Sequence, residues 1–281
     1  MRPRSGALGT ERGFRGTMPT YPVRALVLRH TKLGETDVIL TLLSDAGKPV
    51  RAVAKGLRRP GSRFCGRLEP YSEVDLLLHT GKSLEVVSEV RSVDAHAALR
   101  SDLDRTAAAA VVADLMDRLA VDEQSEPKLF DAAAATFAAI EAAAAAKVPA
   151  LVVAFLIKAL SVHGYRPELH ACVACSAGVS GLVQVRFSPA QGGILCPECE
   201  RLDPSAPRCL AQAREWLAML LRSPLAEVAD ADMPPTAVSE CFALLRVFVA
   251  YHVPARLKAL DFYAGLLFEA DKVSAHPGGR G

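Results

Sequence analysis

Cys172-Val-Ala-Cys175 is followed twenty residues later by Cys196-Pro-Glu-Cys199, a C-x2-C-x20-C-x2-C pattern. Two close thiol pairs at this separation suit one tetrahedral Zn²⁺: each pair forms a tight knuckle, and the chain between them folds back as a hairpin. The intervening residues agree. Leu182-Val-Gln-Val-Arg-Phe187 alternates like a strand, and Ser188-Pro-Ala-Gln-Gly-Gly193 reads as a turn before Ile194 and Leu195. A redox pair normally opens a helix after a strand, whereas here two pairs face each other in polar, Gly-rich chain. A catalytic zinc keeps one ligand position open. The deaminase signature fails as well, because no His is followed two residues on by Glu and the proline sits inside the second pair. The spacing therefore predicts a structural zinc held by Cys172, Cys175, Cys196 and Cys199 in a small ribbon with little core of its own. His170 could replace one thiolate, but four thiolates already complete the set.

Upstream of the ribbon, the pattern from Tyr21 to Val90 has period two with turn residues between segments. This predicts five short strands, over 21–30, 37–44, 49–55, 71–79 and 83–90. Asp45-Ala-Gly-Lys48 and Thr80-Gly-Lys82 read as hairpin turns. Five short strands in so few residues suggest a small closed OB-type barrel, an architecture whose open face commonly binds single-stranded nucleic acid. Fold alone does not establish that function. Charge adds to it: Lys48, Arg51, Lys55, Arg58, Arg59, Arg63 and Arg67 lie between Lys48 and Leu68, where there is no acidic residue. A mobile, Gly-punctuated basic segment can track a phosphate backbone, with Phe64 and Tyr71 nearby to stack bases. The competing reading is a solvated loop kept polar for solubility.

Beyond Asp94 the spacing becomes helical and Ala/Leu-rich. Ser101-Asp-Leu-Asp104 reads as a capped helix start, with Leu103, Ala107, Val111, Leu115 and Leu119 on one stripe. Further helices are expected over 126–146, 149–163, 210–222, 236–252 and 255–269, so that the cysteine ribbon interrupts one bundle. The fold expected is α+β and multidomain. A disordered basic arm spans 1–20, the barrel 21–95, the first part of the bundle 96–170, the ribbon 171–203, the second part 204–270 and a tail 271–281. Residues 1–17 carry four arginines against one Glu; they are either that arm or sequence upstream of a start at Met18.

The 281 residues, 51% hydrophobic and 23% charged, are enough for two or three modest cores. No apolar run is read as reaching the roughly 18 residues of a membrane span, and the expectation is a soluble protein. Seven cysteines, with Cys65, Cys209 and Cys241 scattered outside the ribbon, point to a reducing compartment, hence the cytoplasm. The formal charge of +2 is uneven: twelve Lys/Arg stand against nine Asp/Glu over residues 18–95, and the chain beyond is net acidic. The sequence holds no phosphate-binding loop, nucleophile elbow or zinc-protease motif. His79, His96, His163, His170 and His252 read as surface or capping groups at element ends, and Glu35 with Asp37 as solvated carboxylates.

Several stretches together resemble the RecO family of bacterial recombination mediators. They are Ala25-Leu-Val-Leu-Arg29, Ala52-Val-Ala-Lys-Gly-Leu-Arg-Arg59, Leu68-Glu-Pro70, His163-Gly-Tyr-Arg-Pro-Glu-Leu169, Phe187-Ser-Pro-Ala-Gln-Gly-Gly193 and His252-Val-Pro-Ala-Arg-Leu-Lys-Ala-Leu260. The likeness covers Tyr21 to about Phe268. It departs in its N-terminal extension and in Ala259, where a serine is more usual. The resemblance implies a non-enzymatic DNA-repair protein, cytoplasmic and nucleoid-associated. Such a protein binds single- and double-stranded DNA, anneals complementary strands, and with RecR and RecF loads RecA onto strands coated by single-strand DNA-binding protein. It also implies a receptor for that protein's acidic, apolar-ended C-terminal tail. Arg246, Arg256 and Lys258, with Leu244, Val247 and Phe248 between them, are the best match. Two rivals stay open: a metal-dependent nucleic-acid hydrolase, and an interaction scaffold that never meets DNA.

Overall fold

The computed structural model describes residues 19–121 and 124–274, with side chains to Glu269. The basic arm over 1–18 and the last seven residues of the expected tail lie outside the described residues.

Five strands close a barrel: β1 (Thr20–Leu33), β2 (Asp37–Ser44), β3 (Pro49–Ala54), β4 (Glu73–His79) and β5 (Glu85–Asp94). Their order is β1-β2-β3-β5-β4, antiparallel throughout except for a short parallel pairing of β3 with β5. Alternate residues fill the interior, among them Ala25, Val27, Leu40, Leu42, Ala52, Val74, Leu76 and Leu78. β4 starts at Glu73, later than the alternation suggests, because Tyr71 has φ 73° and cannot continue a strand. β1 breaks simple alternation: residues Ala25 to Leu28 are all buried, since Leu26 and Leu28, with Leu43 of β2, turn outward into the helical core.

Among the described residues, that core belongs to seven α-helices. They are α1 (Leu103–Leu119), α2 (Pro127–Ala142), α3 (Val148–Val162), α4 (Ala211–Arg222), α5 (Leu225–Asp230), α6 (Pro235–His252) and α7 (Lys258–Ser274). Asp102 caps α1 by accepting the Arg105 amide at 2.8 Å. Leu103, expected on the apolar stripe, sits in the first turn at 59% exposure. α2 stops at Ala142 although alanines run on, because Ala143 is extended and the chain reverses into α3, whose second residue is Pro149. α7 continues to Ser274, past the expected start of the tail at 271.

The span Ala145–Val162 is long and apolar enough to cross a membrane, contrary to the sequence reading. Its burial explains the composition: eleven of the fifteen residues of α3 are buried within the bundle. The ribbon is a three-stranded sheet, β7 (Gly193–Leu195), β6 (Gln184–Ser188) and β8 (Arg208–Leu210) in that order. β8 is an addition to the expected hairpin. The ribbon borrows the bundle's core, with the Phe187 ring 5.3 Å from that of Phe248.

Barrel and bundle are clamped together. Tyr71 packs its ring 5.6 Å from Phe137, and Arg29 pairs with Asp117 at 2.9 Å. His96, expected at the surface, is buried with Nδ1 2.8 Å from Glu141 of α2. The β2–β3 turn lies against the start of α2, where the Ser125 hydroxyl donates to the Ala46 carbonyl. Gly47 in that turn has φ 72°, and a Cβ there would lie 2.0 Å from the Glu126 carbonyl oxygen. Gly47→Ala should therefore lose about 1–2 kcal/mol from the left-handed backbone alone, and more from the clash with a backbone atom. Urea unfolding should show a clearly lower midpoint, whereas an unchanged midpoint would mean the turn is free of α2.

Candidate metal centre and nucleic-acid interface

The two cysteine knuckles meet as the spacing predicts. Each is a tight turn, closed by the Ser176 amide donating to the Cys172 carbonyl at 2.8 Å and the Cys199 amide to the Cys196 carbonyl at 3.0 Å. Glu168 orients the first knuckle by accepting the amides of His170 and Ala171, which hold its carboxyl below the usual carboxylate range. Sγ atoms of Cys172, Cys175, Cys196 and Cys199 all lie within 4.8 Å of one another. Cys175 and Cys196 are 3.8 Å apart, close to the edge of about 3.8 Å that a tetrahedron with 2.3 Å metal–sulfur bonds requires.

Electrostatics fit a cation. Burial would raise the Cys172 thiol, but the amides of Cys196, Cys175 and Ala174 outweigh it and bring it down to about 6. Cys199, hydrogen-bonded to the Cys196 thiol and partly desolvated, is pushed up to about 12. Four sulfurs this close cannot all be thiolates unless a positive ion sits among them, so the donor set fits a closed metal site. His170 stays out of it, exposed, with Nε2 3.5 Å from an Arg222 nitrogen. Cys65 is exposed in the basic loop, and Cys209 and Cys241 are buried in the bundle core, where desolvation pushes both thiols up.

A second group at ligand spacing is Asp94, His96 and Glu141. Its atoms bond one another and the backbone. The Glu141 carboxylate takes the His96 ring and the Ala98 amide, and Asp94 takes the His96 amide at 2.9 Å. This is the clamp between barrel and bundle, and no sequence spacing links its members. Asp37, read as solvated, accepts the Gly56 amide at 2.8 Å and pins the start of the basic loop. His252, read as a capping group, is stacked 4.5 Å from the Tyr165 ring.

The basic segment between β3 and β4 is a chain of hydrogen-bonded turns rather than a mobile loop. The Arg58 amide donates to Thr36, that of Arg59 to Gly56, that of Ser62 to Arg59 and that of Cys65 to Ser62. Phe64 and Leu68 plug the barrel and are buried, as is Tyr71, so the two aromatics expected to stack bases are occupied in packing. The cations remain outside: Arg51, Lys55, Arg58, Arg59, Arg63 and Arg67 are exposed and Lys48 is half-buried. Arg63 lies over the Phe64 ring, its guanidinium carbon 4.6 Å from the centroid. None of the seven forms an ion pair with a described carboxylate, while Arg24, Arg29, Arg91 and Arg105 all do.

On the final helices, Leu244 and Phe248 are buried and cannot line a groove; only Val247 is exposed. The structure instead forms a cavity of about 340 Å³ floored by Val249, Val253, Leu257 and Leu260, with Arg246 and Arg256 at its rim. Both arginines hold Asp261, at 3.2 and 2.7 Å. Lys258 lines a separate cavity on the barrel side.

Comparison with known proteins agrees with this architecture. Residues 18–96 match the family model for the N-terminal part of Recombination protein O, and residues 100–261 that for its C-terminal part. A DNA repair protein RecO from Roseiflexus is 32% identical over 86% of this chain and 84% of its own length. One from Cutibacterium acnes is 35% identical over 86% and 98%, and one from Bifidobacterium adolescentis 41% identical over 66% and 78%. With both halves of the family model matched across barrel, bundle and cysteine ribbon, this chain belongs to the RecO family and has its role in DNA repair and recombination.

Proposed function

We propose that this chain is a non-catalytic recombination mediator. It binds single- and double-stranded DNA through the barrel's basic turns and anneals complementary strands. With RecR and RecF it helps load RecA onto strands coated by single-strand DNA-binding protein. It works in the cytoplasm, at the nucleoid. The observation that carries the DNA contact is the set of exposed cations on and beside the anchored turns, Lys55, Arg58, Arg59, Arg63 and Arg67 on the turns and Arg51 on the adjoining β3, with no ion-pair partner among the described residues. Like charges packed this way repel one another, and a polyanion relieves the repulsion with release of its counterions. Annealing follows from the same neutralisation, because two strands can approach only when their phosphates are screened.

The metal in this reading is Zn²⁺ and its role is folding. It closes the two knuckles, fixes the ribbon sheet, and through Phe187 supports the bundle core. The tail of single-strand DNA-binding protein binds the groove beside α6 and α7. Its apolar end covers Val249, Val253, Leu257 and Leu260, and its carboxylates take Arg246 and Arg256 from Asp261. Lys258 adds charge nearby.

Three results are expected. Protein purified without chelator should carry one zinc per chain, and Cys196→Ser should lose it with a fall of several degrees in Tm; a zinc-free native protein would overturn the site. Arg58→Ala/Arg59→Ala/Arg63→Ala should flatten the slope of log K against log[salt] for a single strand by about two units, at about 0.7 per contact. Stability should stay within about 0.5 kcal/mol. Unchanged affinity and slope would make the turns a solvated connector. Arg246→Glu should abolish binding of the acidic tail peptide, and equal binding by variant and parent would remove the groove.

A further inference from the structure

Next to the basic turns, where the barrel meets α1 and the start of α7, lies a cavity of about 350 Å³. Its floor is apolar and shallow in side chains: Leu28 of β1, Ala110 and Ala113 of α1, and Tyr71. Its cations come from three separate elements, Arg29 from β1, Arg118 from α1, and Arg256 and Lys258 from the corner into α7. Two aspartates also line it, and both are engaged. Asp117 pairs with Arg29 at 2.9 Å, and Asp114 accepts the Ala259 amide of α7 at 3.2 Å. Arg118 and Lys258 are exposed and have no ion-pair partner among the described residues.

The cavity adjoins the basic face. Tyr71, which walls it, ends the segment carrying Arg58 to Arg67, and the Tyr71 amide is bonded to the Val27 carbonyl of β1 at 2.6 Å. Further along β1, His30 and Lys32 line the depression that also contains Arg58. Arg58 and Lys32 thus border one depression, and Arg29, Arg118 and Lys258 the other, between the basic turns and the bundle. A slot bordered by alanines takes a flat group better than a branched aliphatic one, and cations on both sides of it suit successive phosphates.

We propose that the seam cavity receives an unstacked base of the bound single strand, with Arg118 and Lys258 meeting the phosphates on either side. This rests on the DNA reading above and extends it from barrel to bundle. It also supplies the base contact that the buried Phe64 cannot make.

The test compares a labelled mixed-sequence strand with a fully abasic strand of equal length, titrated with the whole protein at several salt concentrations. The parent should bind the abasic strand about tenfold more weakly, as loss of one base's buried apolar surface predicts, with the same salt slope. Ala110→Leu, which fills the slot, should bind both strands alike at the parent's abasic affinity. Should that variant keep the parent's preference for bases, the cavity holds no base. Arg118→Ala/Lys258→Ala tests the path independently of the slot. It should flatten the slope by about 1.4 for both strands, and an unchanged slope would mean the strand does not cross the seam. If the parent binds neither strand, the DNA reading itself fails. An acidic peptide that binds the parent but not Ala110→Leu, with strand binding unaltered, would assign the cavity to a protein partner instead.

Discussion

Helix α3 has no polar face to offer water, and the rest of the chain is arranged to cover it. With eleven of its fifteen residues buried, it needs neighbours on every side, and α1, α2, α4, α5 and α6 provide them. α4 to α6 lie beyond the cysteine ribbon in sequence, so the central helix cannot be fully covered until the ribbon has folded back. A metal held there would have a role larger than its knuckles. Closing Cys172, Cys175, Cys196 and Cys199 about one ion would hold Val185, Phe187, Ile194 and Leu195 on the same core that α3 anchors. A ribbon of three short strands could not bury that much apolar surface alone.

The barrel depends on the same helices. Leu26, Leu28 and Leu43 belong to the helical core, while the barrel's own interior is a separate cluster plugged by Phe64 and Leu68. One wall therefore serves two cores, and the clamps at Gly47, His96 and Arg29 fix barrel against bundle. The consequence for function is geometric. Cations on β3 and the following turns are held in place relative to those on α1 and α7, so a polyanion bound there would meet one fixed surface rather than two tethered ones. Charge is distributed to match. Arg24, Arg29, Arg91, Arg246 and Arg256 are paired with aspartates, while the basic turns have no ion pair among the described residues and only Asp37 near Arg59 and Lys55.

Much of this was legible in the sequence because it is local. Period-two alternation gives the five strands, and two C-x2-C pairs at a fixed separation give the four sulfurs. Asp102 before an apolar stripe gives the start of α1. What the sequence hides is long-range. Nothing near His96 announces Glu141, forty-five residues on, and nothing in Phe64 says that it points into the barrel rather than toward a base. The basic segment reads as flexible because its glycines and arginines favour exposure. Its order comes from Thr36 and Asp37 across the barrel and from its own two plugs, Phe64 and Leu68, which point into the barrel core. The groove residues failed for a similar reason: helical spacing places Leu244 and Phe248 beside Arg246, but α6 turns that face inward, and the open floor comes from Val249, Val253 and α7. The short α5 carries too few residues for any periodicity to show.

We propose that DNA is held on the anchored basic turns of the barrel. Hydrogen exchange followed by mass spectrometry, on the intact protein with and without a saturating single strand, addresses it directly. Amides over residues 56–70 should become protected on adding the strand, with the ribbon around Cys172 and Cys196 unchanged. Protection confined to the bundle or the ribbon, with 56–70 exchanging as in the free protein, would contradict it.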